Sequence, residues 1–173
     1  MLFDIIGGLL IISASGLIGI LFANRLSIRY RELKNLRRYL QLLETEVTYG
    51  ATPLPVALMN ISNRTEGIIS SFFAAVSQSL TERSFYSVND AWAYSAEVVF
   101  AEAPFTRADT ELIKSFGNSL GCSDREDQKK HFSLFYLQLK HQEDAAQEEI
   151  NRSGKMYRSL GFLLGIAVFV ILI

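Results

Sequence analysis

Apolar residues fall along this chain in two patterns: unbroken runs at the ends and helix-spaced stripes between them. Leu2 to Ala23 is a run of 22 residues with Asp4 as its only charge. As a helix it is about 33 Å long, enough to cross a hydrocarbon core of about 30 Å. A second run, Ser159 to Ile173, counted from Met156, gives roughly 27 Å, a span that needs slight stretching or snorkelling flanks. The pattern therefore predicts a transmembrane anchor over 1–23, a helical domain over 24–155 and a second anchor over 156–173.

Between the runs no period-two alternation occurs, so no strand is expected. Leu26, Leu33, Leu40 and Val47 recur every seven residues, with Leu36 and Leu43 in the complementary positions. This is a heptad seam on a helix continuous with the first anchor. Tyr49-Gly50 ends it, glycine supplying a left-handed residue. Thr52-Pro53 restarts the chain as hydroxyl cap and first-turn proline, and Leu54, Ala57, Leu58 and Ile61 face inward. A third helix is expected from Thr65, with Ile68, Ile69, Phe72, Phe73, Val76 and Leu80 inside. Ser87 or Asn89 caps a fourth, carrying Trp92, Ala96, Val99 and Ala103 and ended by Pro104. Thr106 with Asp109 opens a fifth through Leu112, Ile113, Phe116 and Leu120, closed by Gly121. Ser123-x-x-Glu126 is a capping box for a long sixth helix led by Phe132, Phe135, Tyr136 and Leu139. Its face then thins to Ala145, Ala146 and Ile150 among Glu143, Asp144, Glu148 and Glu149, a stretch expected to be more solvated or packed through small residues. The fold class is all-α: an antiparallel bundle of about six helices between an N-terminal and a C-terminal transmembrane helix, the first and last helices side by side.

Charge placement orients this picture. Arg25, Arg29, Arg31, Lys34, Arg37 and Arg38 follow the first run, and Arg152, Lys155 and Arg158 precede the second. Basic residues stay on the cytoplasmic side, so the middle domain is expected in the cytosol. Positive charge after the first run, rather than before it, predicts a retained anchor and not a cleaved signal peptide. Net charge is −1, which gives no bias toward nucleic acid. One cysteine, Cys122, excludes an internal disulfide.

Candidate chemistry is sparse. His131 and His141 are ten residues apart and cannot form an i, i+4 metal pair. Cys122 has no histidine near it in sequence, and Asp124, Glu126 and Asp127 suit a helix N-terminus without a metal. Glu44 and Glu46, two apart on a helix, do not share a face. No phosphate-cradling GxxxxGK[ST] or GxGxxG string occurs. No catalytic residue, metal or cofactor is expected, and the chain reads as a non-enzyme. Asp4 stands apart, because a carboxylate beside a span can mark a proton or ion path. A membrane-bound signalling or transport element using the Asp4-bearing helix is therefore the competing reading. Gly161-x-x-x-Gly165 is the small-residue spacing that lets membrane helices approach.

Three strings carry a family resemblance: Leu42-Leu43-Glu44-Thr45-Glu46-Val47-Thr48-Tyr49-Gly50 with Thr52-Pro53-Leu54; Leu120-Gly121 with Asp124 and Gln128; and Lys155-Met156-Tyr157-Arg158-Ser159-Leu160-Gly161. With their order, their spacing and the two terminal runs, they resemble the stage III sporulation protein AB family of endospore-forming bacteria. The resemblance implies a component of the channel between mother cell and forespore, in the mother-cell membrane surrounding the forespore. It also implies a cytosolic domain similar in fold to the inner-membrane platform protein of type II secretion and type IV pilus machines. By that analogy the protein is a scaffold coupling a cytosolic ATPase, the stage III AA protein, to other channel subunits; homo-oligomerisation is left open. The expected partner surface is the junction after the first helix: Glu44, Glu46, Tyr49, Gly50, Thr52 and Pro53.

Overall fold

The computed structural model describes residues 2–120 and 125–172; for 2–6, 8–12, 125–126, 154–155, 157–158, 161–162, 164–166 and 169–172 it describes the backbone alone. The described residues form six α-helices and no strand: α1 (Leu2–Thr48), α2 (Leu54–Arg64), α3 (Ile68–Thr81), α4 (Val88–Val99), α5 (Arg107–Leu120) and α6 (Arg125–Leu172). They divide into two compact units, 31–143 and the pair 1–30 with 144–173.

In the 31–143 unit, α1 contributes Leu33, Leu36, Leu40 and Leu43, all with no exposed surface, as the heptad seam predicts. Arg37 of α1 pairs with Glu143 of α6 (Nε–Oε1 2.7 Å). Seven residues on in α1 and seven back in α6, Glu44 accepts a hydrogen bond from Tyr136 (3.0 Å). Within this unit the two helices therefore run antiparallel. Between them α2 to α5 pack in sequence order, α2 on α3, α3 on α4 and α4 on α5. Trp92 of α4 is the hub of the core: its ring lies 4.7 Å from Phe72, 6.0 Å from Phe73 and 5.8 Å from Phe116. Phe116 in turn meets Phe132 at 5.1 Å and Phe135 at 4.3 Å, so one run of aromatic contacts joins α3, α4, α5 and α6. The Trp92 indole N–H, buried with its ring, donates to the Ile113 carbonyl of α5 (2.7 Å). This close approach dictates Gly117. A Cβ there would lie 2.9 Å from Trp92 Cδ1 and 2.9 Å from Asn89 Oδ1.

Helix ends show which local signals decide. Ser87 caps α4 by accepting from the Asp90 amide (3.0 Å). Thr106 and Asp109 form a reciprocal box at α5, amide to carboxylate 2.8 Å and amide to hydroxyl 3.2 Å. The α2 start differs from expectation. Pro53, not Thr52, is the N-cap, and no side chain caps it. Prolines at 53 and 55 remove two backbone donors from the first turn, so a hydroxyl cap has less to satisfy. Thr65 belongs to the end of α2, where its hydroxyl returns to the Ile61 carbonyl (2.8 Å); α3 begins at Ile68, behind Gly67 at φ 91°. Likewise α4 ends at Val99, with Phe100 as its C-cap, ahead of Pro104. Two hydroxyl-to-carbonyl bonds, Ser62 to Ser70 (3.0 Å) and Ser70 to Ser62 (2.9 Å), tie α2 to α3. The expected Gly121 terminus and Ser123 of the Ser123–Glu126 box lie outside the described residues, and Glu126 is described by its backbone alone.

The unit of 1–30 with 144–173 has a different interior. On α1, Gly19, Ala23 and Arg29 are buried, while Leu17 (61% exposed), Ile18, Leu21 (67%) and Phe22 face outward. On α6, Met156, Leu160, Leu163 and Val168 are also exposed. Arg29 donates to Glu149 (3.0 Å). Among the described residues no helix is long and apolar enough to cross a membrane. In the two expected spans, 1–23 and 156–173, many residues are described by backbone alone, among them Asp4, Gly161 and Gly165.

Candidate functional site

The junction between α1 and α2 carries all six residues expected to meet a partner, and the structure divides them. Glu44 and Glu46 point to different helices, as their two-residue spacing requires. Glu44 is half-buried and held by the Tyr136 hydroxyl of α6. Burial first, then the nearby Glu44 charge and the bond to it, push the Tyr136 phenol well above its ordinary value. Glu46 accepts from Asn60 of α2 (3.3 Å) and lies 3.8 Å from the Arg64 guanidinium. Both carboxylates thus serve as ties between helices.

Tyr49, Gly50 and Pro53 are exposed, and Thr52 is half-buried. Tyr49 is 73% exposed and has the Lys129 ammonium of α6 over its ring, 5.1 Å from the centroid. That is a cation–π contact open to solvent. The chain reverses through amides: Gly50 to the Thr45 carbonyl (3.2 Å) and Thr52 to the Glu46 carbonyl (3.1 Å). Here the expected left-handed glycine is corrected. Ala51 takes that conformation (φ 48°), not Gly50. Gly50 is required by space instead, because a Cβ would stand 2.7 Å from the Glu46 carbonyl oxygen. The neighbouring Thr48 hydroxyl is buried without a described partner.

Elsewhere, of the two readings of the 143–150 stretch, Ala146, 1% exposed, follows packing through small residues, and Glu143 departs from the solvated one: it is 1% exposed and paired with Arg37. No cluster of three or more His, Cys, Asp or Glu that could hold a metal occurs among the described residues. His131 is half-buried and His141 exposed on α6, while Cys122 and Asp124 lie outside the described residues. Sequence reasoning missed Asn60, Arg64, Lys129 and Tyr136 as the partners that shape the junction. The heptad step would have paired Glu44 with Tyr136 once the Arg37–Glu143 register was known.

What fold and junction define is an all-α helical-bundle protein whose polar side chains tie helix to helix, leaving an aromatic–ammonium corner at one turn. The stage III sporulation protein AB family model matches residues 4–173, and the chain belongs to that family. It is 33% identical over 168 residues to stage III sporulation protein AB of Bacillus subtilis (strain 168), covering 97% of this chain and 98% of that one. A solved structure of a stage III sporulation protein AB is similar at 34% identity with a TM-score of 0.67, covering 71% of this chain and 96% of its own. Those names state a sporulation protein and no reaction.

Proposed function

We propose that this sporulation protein is a membrane-anchored, non-enzymatic scaffold of the channel between mother cell and forespore. It sits in the mother-cell membrane around the forespore, with its helical domain in the cytosol, and couples the stage III ATPase AA to other channel subunits. One observation supports the anchoring: among the described side chains of the 1–30 and 144–173 unit, Ala23, Arg29 and Ala146 are buried, with Gly19, while Leu17, Ile18, Leu21, Phe22, Leu160 and Leu163 are exposed. Water disfavours that arrangement; lipid, as apolar as leucine, does not, and small residues then set the helix contact. The corner formed by exposed Tyr49, Gly50 and Pro53 with half-buried Thr52 is the ATPase-facing surface, with Glu44 and Glu46 holding it in shape.

The test is co-purification of the ATPase with the full chain from membranes of sporulating cells. Tyr49→Ala removes an exposed ring and its cation–π contact, so the fold should stay intact while ATPase recovery falls about two- to fivefold, the scale of one exposed aromatic contact. Unchanged recovery would discard the corner. Absence of both the ATPase and every channel subunit from the wild-type eluate would discard the scaffold role.

A further inference from the structure

The unit of 1–30 with 144–173 holds an open groove of about 850 Å³ whose lining includes Glu148, Glu149, Arg152, Ser153 and Met156 of α6. Its charges are unequally engaged. Glu149 is held by Arg29 at 3.0 Å. Glu148 and Arg152 are both exposed, and neither joins an ion pair or hydrogen bond among the described residues. Their i, i+4 spacing, glutamate first, is the best arrangement for an intrahelical pair, yet the structure leaves both heads open to the groove.

Chemistry is ordered along the helix. A carboxylate at 148 is followed one turn on, about 6 Å, by a guanidinium at 152, and another turn on by Met156, with Leu160 and Leu163 exposed beyond. An upright aminophospholipid presents the same order: ammonium, phosphate, acyl chain. Arginine matches the phosphate with its planar fork of donors. A carboxylate matches a primary ammonium, which offers three N–H donors, as lysine does. A choline headgroup has no N–H to give Glu148, and a glycerol headgroup has no positive charge. Anionic lipid alone would be served by basic residues and would leave Glu148 repelling it.

From this order we infer that the groove is a headgroup site for a phosphatidylethanolamine-type lipid, Arg152 taking the phosphate, Glu148 the ammonium and Met156 the start of the acyl chain. The inference rests on the membrane anchoring proposed above. It gives the second helix entry a fixed depth: the phosphate plane stands at Arg152.

Full-length protein in detergent, offered equal amounts of phosphatidylethanolamine, phosphatidylcholine and phosphatidylglycerol, is assayed for retained lipid by native mass spectrometry. Wild type should retain phosphatidylethanolamine about fivefold over either competitor, the selectivity of one exposed charge-assisted contact. Glu148→Gln should bring phosphatidylethanolamine down to the phosphatidylcholine level, and Arg152→Gln should lower all three lipids. The swap of Glu148→Arg with Arg152→Glu keeps net charge and reverses the order, so it should abolish the preference; unchanged circular dichroism verifies the fold of each variant. Phosphatidylglycerol retained as well as phosphatidylethanolamine, or a swap that keeps the preference, overturns the site. Flotation with vesicles of the same three lipids separates the levels. Wild type that floats without lipid preference removes the groove and keeps the anchors, whereas wild type that does not float removes both.

Discussion

The two units use the same two helices and opposite rules. Between residues 31 and 143, α1 and α6 bury Leu33, Leu36, Leu40, Phe132, Phe135 and Leu139 around a tryptophan hub, as a water-soluble bundle does. Among the described side chains of residues 1–30 and 144–173, they bury glycine, alanine and an arginine held by glutamate, and leave leucine, isoleucine and phenylalanine outside. Neither helix is interrupted where the rule changes: α1 runs unbroken through Tyr30 and α6 through Asp144. Helix formation is a backbone matter of local propensity. Which face turns inward is a matter of solvent, and the lipid surround proposed above for the 1–30 and 144–173 unit would account for the difference.

The largest expected effect breaks the 31–143 unit at its hub. Trp92→Ala removes a side chain with no exposed surface and its bond to Ile113, so it should lower stability by about 4 kcal/mol, read as a lower urea midpoint in far-ultraviolet circular dichroism. A second substitution tests the opposite rule. Leu17→Asp on the outward face should cost about 3 kcal/mol of membrane insertion and move the chain out of the membrane fraction. If that face meets water instead, the change stays within about 0.5 kcal/mol. The smallest effect sharpens the comparison from inside the soluble-type unit. The Tyr136 phenol is raised above its ordinary value, so its contribution is present below the unfolded pKa, about 10, and is lost as pH rises beyond it. The wild-type melting temperature should fall faster between about pH 9 and 11 than that of Tyr136→Phe, which also gives up about 1 kcal/mol at neutral pH with the lost bond to Glu44. Parallel pH profiles would remove Tyr136 as their cause.

Much of the bundle was legible because its signals are local. The heptad leucines, the Ser87 cap and the Thr106–Asp109 box each act within a few residues, and each stands where the pattern predicts. What was hidden depends on partners distant in the chain. Glu143 looks like one acid in a solvated stretch until Arg37, on another helix, meets it. Gly50 looks like a left-handed terminator, but the turn places the positive φ on Ala51 and uses Gly50 for clearance from a carbonyl. The junction could be located in the sequence for the same reason that its roles could not be assigned there. Glycine and proline mark a turn, whereas Asn60, Arg64, Tyr136 and Lys129 reach it only through tertiary packing.

Trp92 is the chain's single tryptophan. Its indole is fully buried, ringed by phenylalanines and hydrogen-bonded to a helix carbonyl. The protein therefore carries a built-in fluorophore that reports on one unit alone. Its emission follows the 31–143 core as it opens or closes, undiluted by signal from any second indole. In vesicles or in an assembled complex, that one colour change would separate loss of the bundle from loss of the proposed anchoring without any label being attached.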